Sequence, residues 1–115
     1  MAIEIKEYLD SDGESPYAKW FEALDAKAAA KIISAIDKIS RGLMGDVESV
    51  GGGVSERRID YGPGYRVYFG SENDGRTTTV VILLCGGTKK RQNADIAQAK
   101  EFWKDYKSRK RRGEV

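Results

Sequence analysis

Apolar positions along the chain change their spacing several times, and each change predicts an element. In AIEIKEYL, residues 2–9, Ile3 and Ile5 alternate with charged residues, the pattern of a strand with one buried face. SDGES then reads as a loop. Ser15 and Pro16 mark a helix start, with a hydroxyl at the N-cap and a proline at the first helical position. Tyr17, Trp20, Phe21 and Leu24 recur at i, i+3, i+4 and i+7, so one face of this short helix is apolar. Asp25 is placed to cap a second helix with Ala29, Ile32, Ile33, Ile36 and Ile39 along one side, and Gly42 to end it. Two adjacent amphipathic helices predict a helical hairpin packed on a sheet, their aromatic and isoleucine stripes forming core rather than a cofactor pocket.

The second half reads differently. GDVESVGGGVS is glycine-rich and is expected to be a mobile loop; it lacks the lysine and glycine spacing of a phosphate cradle. VSERRID reads as a strand and GYRVYFGS as the next, with ENDG as a hairpin loop leading into RTTTVVILLC. That last strand is apolar on both faces, as a central strand covered on two sides should be. GGTKKRQN reads as a loop, after which Asn93 or Asp95 would cap a final helix striped by Ile96, Ala99, Trp103 and Tyr106. The order strand, helix, helix, strand, strand, strand, helix predicts an α+β fold with a largely antiparallel sheet. The helical hairpin covers one face and the last helix part of the other.

Composition narrows the chemistry. The 115 residues suffice for one domain, residues 1–115, with a core that needs neither disulfide nor structural metal. The single cysteine, Cys85, lies in the apolar run VVILLC and is expected to be buried and reduced, which fits a cytoplasmic protein. The first residues lack a basic segment followed by an apolar one, so no signal peptide is expected, and no apolar run approaches the length of a membrane span. With no histidine, imidazole zinc sites and Ser-His-Asp triads are excluded, and no metal or other cofactor is expected. The net charge of +2 hides an asymmetry. Residues 1–56 hold 6 Lys/Arg against 11 Asp/Glu, whereas residues 57–115 hold 14 against 7. The surplus lies in ERRID, TKKRQ and YKSRKRR, and points to a polyanionic partner.

Arg66 raises a particular question, because it sits mid-strand between aromatics in YGPGYRVYFG. Tyr65, Val67 and Phe69 take the core face, so Arg66 and Tyr68 project to the opposite one. On the preceding strand Arg58 shares a face with Glu56, and Arg57 lies on the other side. Antiparallel pairing through DYGPG can bring Arg58 beside Arg66, and Lys89, Lys90 and Arg91 follow the central strand. Cations gathered in this way repel one another unless an anion sits among them, and arginine grips phosphate bidentately. The alternative is an ordinary ion pair of Arg66 with Glu56, Asp60 or a helix carboxylate.

The stretches GVSERRIDYGPGYRVYF at 53–69, LLCGGTKKRQNADIAQAKEFWKDYK at 83–107 and SPYAKWFEAL at 15–24 resemble the RelE/ParE superfamily of toxins from type II toxin–antitoxin modules. Within it they are most similar to the HigB-like branch of addiction module killer, or phage Gp49-like, proteins. The resemblance implies a RelE-like fold and a toxin that inhibits translation by metal-independent cleavage of mRNA on the ribosome. It implies catalytic roles for Arg58, Arg66, Lys89 and Lys90, and RNA contacts for Arg57, Tyr68 and Arg91. It also implies a hetero-oligomer with a cognate helix-turn-helix antitoxin encoded just downstream. Where the RelE pattern carries a tyrosine after the basic segment, this chain has QNADIA. That difference keeps open a ParE-like inhibitor of DNA gyrase without chemistry of its own, or a degenerate toxin that only binds its antitoxin.

Overall fold

The computed structural model describes residues 2–73, 75 and 77–115. Its strands are β1 (Ala2–Glu7), β2 (Val47–Gly51), β3 (Val54–Ile59), β4 (Tyr65–Asn73) and β5 (Thr78–Thr88), and its helices are α1 (Pro16–Glu22), α2 (Ala26–Ser40) and α3 (Gln92–Arg111). The strands form one sheet in the order β1-β5-β4-β3-β2. β2 through β5 are antiparallel neighbours, and β1 joins β5 in parallel at one edge. This is the expected α+β class with a largely antiparallel sheet.

Both helix starts in the N-terminal half follow the predicted chemistry. The Ser15 hydroxyl accepts from the Ala18 N–H at 3.0 Å and the Asp25 carboxylate from that of Ala28 at 2.9 Å. Each such cap stabilises its helix by about 1 kcal/mol. The helices bury their apolar stripes against one sheet face, where Tyr17, Ile32 and Ile39 meet Ile59, Val67, Phe69, Val81 and Leu83. On the opposite face α3 lays Ala99, Trp103 and Tyr106 over Val54, Tyr68, Ile82 and Leu84. No helix among the described residues is long and apolar enough to cross a membrane.

Three local expectations are corrected. Residues 45–55 are not a loop throughout, because Val47–Gly51 forms the edge strand β2, paired with β3. Its Val47 and Val50 are three residues apart and face opposite sides of the sheet, and the glycines after them make the hairpin turn. Gly51, Gly52 and Gly53 all have positive φ (94°, 62° and 83°), a conformation that side-chain-bearing residues rarely adopt. Second, β5 continues through Gly86 and Gly87 to Thr88 rather than ending at Cys85. The register slips between Tyr68 and Phe69, leaving Leu84 as an extra residue on β5, so the faces exchange there. Gly86 consequently lies against the Trp20 indole of α1 and Gly87 against Asp95 of α3, where neither neighbour leaves room for a side chain. Third, neither Asn93 nor Asp95 caps α3. A short 3₁₀ turn, Lys89–Arg91, runs directly into the helix, and Arg91 is the N-cap without a side-chain hydrogen bond. Of the expected ENDG loop, Glu72 and Asn73 belong to β4; Asp74 of that loop and Arg76 of the following segment lie outside the described residues.

Candidate functional site

The antiparallel register of β3 and β4 sets Arg58 directly opposite Arg66, both on the α3 side of the sheet. Gly87 is the β5 partner of Arg66. Because β5 runs on past this pair into the 3₁₀ turn, Lys89 arrives beside them. Its backbone N–H donates to the Gly64 carbonyl at 2.9 Å, fastening the turn to the Gly62-Pro63-Gly64 corner. Arg58, Arg66 and Lys89 thereby line one cleft of about 250 Å³, with Asp46 and Asp60 at its walls. Lys89 also borders a neighbouring basin of about 500 Å³ with Lys90, Arg91 and the first residues of α3.

The two arginines are held very differently. Arg66 is only 8% exposed and lies over Glu56, itself 1% exposed, with Nε 4.0 Å from Oε1. The same oxygen is fixed by Gln92, whose Nε2 donates to Oε1 at 2.7 Å, while Oε2 lies 3.8 Å from Arg58 Nη1. The first residue of α3 thus positions the carboxylate beneath the arginine. The Arg66 Nε is buried and makes no hydrogen bond, so the contact with Glu56 is electrostatic. Arg58 is clamped from the β2 side: Nε and Nη2 donate to the two oxygens of Asp46 at 3.1 and 2.8 Å, and Nη1 donates to Glu48 at 2.5 Å. These bonds, chiefly those from Arg58, hold the Asp46 carboxyl below its ordinary pKa. A bidentate carboxylate on a guanidinium fork occupies the position that a phosphate would take.

The remaining candidates separate from this pair. Lys90 and Arg91 share the adjoining basin, Arg91 with its Nε 3.9 Å from Asp95. Arg57 points to the face covered by the helical hairpin, where it donates to the Arg58 carbonyl and lines a different cavity with Lys31 and Lys38. Tyr68 is fully buried, 0% exposed, beneath α3. Its hydroxyl finds no hydrogen-bond partner of good geometry among the described residues, and burial, with Glu56 and Asp95 nearby, pushes its pKa up. Tyr68, expected to contact RNA from a face that the last helix covers only in part, lies beneath α3, and in this conformation its ring is closed to a nucleotide. No group of three metal-ligating side chains occurs among the described residues.

The Asp46–Glu48 clamp has no clear signal in the sequence, because Val47 and Val50, three residues apart, face opposite sides of the sheet and leave no strand alternation among the glycines. Gln92 carried no signal of its own, since its role depends on where the 3₁₀ turn delivers the helix.

No family model matches the chain, and no solved structure matches it. A protein of Haemophilus influenzae (strain ATCC 51907 / DSM 11121 / KW20 / Rd), described as "Uncharacterized protein", is 44% identical to it over 101 residues, which cover 87% of this chain and 92% of that protein. The chain therefore belongs to the same family as this Haemophilus influenzae protein.

Proposed function

We propose that the protein is a RelE-like toxin of a type II toxin–antitoxin pair, which cleaves mRNA on the ribosome without a metal and is neutralised by a helix-turn-helix antitoxin encoded downstream. The observation that carries this reading is the Arg58–Arg66 cross-strand pair opening, with Lys89, onto one cleft. In the reaction the ribose 2′-oxygen attacks the adjacent phosphorus and the bond to the 5′-oxygen breaks. This leaves a 2′,3′-cyclic phosphate, and the proton lost from the 2′-hydroxyl is balanced by one gained at the 5′-oxygen. The phosphate accumulates negative charge between these states. Arg66, held by Glu56 and Gln92, and Lys89, held by Gly64, are cations already positioned to meet that charge. Arg58 joins them when the substrate phosphate replaces Asp46 on its guanidinium fork. Losing one such donor lowers the rate by roughly 10²–10³.

The test is to induce the chain alone and map transcript ends with ribosomes present and absent. Arg66→Ala is expected to abolish growth arrest and cutting in a chain that still folds, at a stability cost of about 3–5 kcal/mol from the stranded Glu56. Continued cleavage by an Arg58→Ala, Arg66→Ala double variant would refute the assignment. One observation favours a ParE-like action on gyrase instead: Arg58 is neutralised by three carboxylates, Asp46, Glu48 and Glu56, and Arg66 is nearly buried, which suits binding more than chemistry. In that case induction gives filamentation and a DNA-damage response with intact transcripts.

A further inference from the structure

The cations of α3 fall into two groups. Those turned towards the sheet or the chain end are neutralised: Arg109 by Asp105, Lys110 by Glu72 and Arg112 by Glu114. Lys100, Lys104, Lys107 and Arg111 form no ion pair among the described residues. Their spacing of four, three and four residues keeps them on one flank of the helix. They line a groove of about 370 Å³ whose inner wall is Trp103 and the glycine turn of the β2–β3 hairpin, with Glu101 the one carboxylate in the lining. Lys100 lies along Gly51 and Gly52, its stem packed over the hairpin turn.

This flank lies on the helix that follows the cleft. The 3₁₀ turn bearing Lys89, Lys90 and Arg91 leads straight into α3, so the stripe begins about two and a half helical turns after Arg91, beyond the uncharged flank residues Asn93 and Ala97, and runs to the helix end. Successive cations stand about 4.5–6 Å apart along the axis, from the helical rise of 1.5 Å per residue. That is the order of the distance between neighbouring phosphates on an extended strand. A row of unneutralised ammonium and guanidinium groups is repulsive to itself, and a polyanion of matching spacing relieves the repulsion by releasing its own counterions. We propose that this groove is a track for the sugar–phosphate backbone of single-stranded RNA leaving the Arg66 cleft, gripping the strand irrespective of sequence. The choice of RNA as occupant rests on the nuclease reading above.

The test compares the wild-type chain with a Lys104→Gln, Lys107→Gln, Arg111→Gln variant, all three positions being exposed and outside the core. The probe is a fluorescent oligoribonucleotide of about twelve nucleotides, within the span of single-strand sites, with 2′-O-methyl groups to prevent cleavage. Its affinity is followed as salt is raised. Each lost phosphate contact makes the log Kd against log salt slope shallower by about 0.7 for a single strand, so the variant is expected to lose about two units of slope. Binding of a trinucleotide, which fills only the cleft, is expected to be unchanged. Lys100→Gln alone, which keeps the stem packed on the glycines, is expected to remove a further contact of similar size. An unaltered slope in the triple variant overturns the proposal. So does tighter stripe-dependent binding of DNA of the same length, or of polyglutamate in place of RNA, the last identifying an acidic protein partner. The two readings fail separately: loss of slope in a chain that cuts no transcript sinks the nuclease alone, and a lethal, cutting chain with unaltered slope sinks the track alone.

Discussion

The coupling between Glu56 and Arg66 is the contact on which the site's geometry depends, and Glu56→Gln tests it. Both side chains are nearly or fully buried, so neither charge is well solvated. At 4.0 Å and an effective dielectric constant of about 20, unit charges attract by about 4 kcal/mol, a gain offset by their joint desolvation. Removing one partner of a buried pair leaves the other uncompensated and costs about 3–5 kcal/mol. Two features bring the expectation to the lower end, about 3 kcal/mol. The Arg66–Glu56 separation lies at the limit of ion-pair range, and glutamine keeps a carbonyl that can still accept from Gln92. The assay is urea unfolding, read as a shift in midpoint at constant slope. Arg66→Met and the double variant complete a cycle with an expected coupling of about 2 kcal/mol, because in the double variant no charge is stranded. A coupling within about 0.5 kcal/mol of zero would show that Glu56 does not hold Arg66, and the argument for a preset arginine would fall with it.

Gly86→Ala places a methyl group inside the Trp20 indole and is expected to destabilise the fold by about 1–3 kcal/mol, measured by thermal unfolding; a neutral or stabilising result would mean that α1 is not seated on β5 as described. The Asp105 carboxyl is held below its ordinary pKa by the Tyr8 hydroxyl and by Arg109. Its stabilising contribution is therefore complete above the unfolded value near about 3.9 and disappears as pH falls through the lower folded value. In acid titrations followed by circular dichroism, Asp105→Asn should be less stable than wild type at neutral pH and converge with it at low pH. Burial pushes the Cys85 thiol up to about 12, with Asp95 adding to the shift, so a disulfide reagent at mildly alkaline pH is expected to label the native protein far more slowly than the urea-unfolded chain.

The elements legible in the sequence are those whose signal is local. Ser15-Pro16 and Asp25 announce their helices because an N-cap is a contact across three residues. The alternation in Tyr65–Phe69 fixes which side chains face the helical hairpin, and the short connection to β3 brings Arg58 opposite Arg66. What stayed illegible depends on distant partners. β2 is an edge strand with only one neighbour to pair with, and its Val-Glu-Ser-Val sequence carries no alternation to set against five nearby glycines. The extra residue at Leu84 leaves no mark in the composition of an all-apolar strand, yet it decides that Gly86 meets Trp20 and Gly87 meets Asp95. Tyr68 lies on the face opposite Val67, as the strand alternation predicts, but its burial follows from the path of α3, which that pattern does not encode.

The parallel pairing of β1 with β5 joins Ala2 to Thr78 and Glu7 to Leu83, and so couples the first strand to a segment more than seventy-five residues later. Contacts of such separation require a long loop to close before they return any stabilisation, which slows folding. During synthesis β1 therefore has no partner until β5 has been made, and α1, which sits on Gly86, has no complete surface to rest on. The Arg58–Arg66 hairpin can pair as soon as β4 exists, but the sheet around it closes only once β5 has been translated.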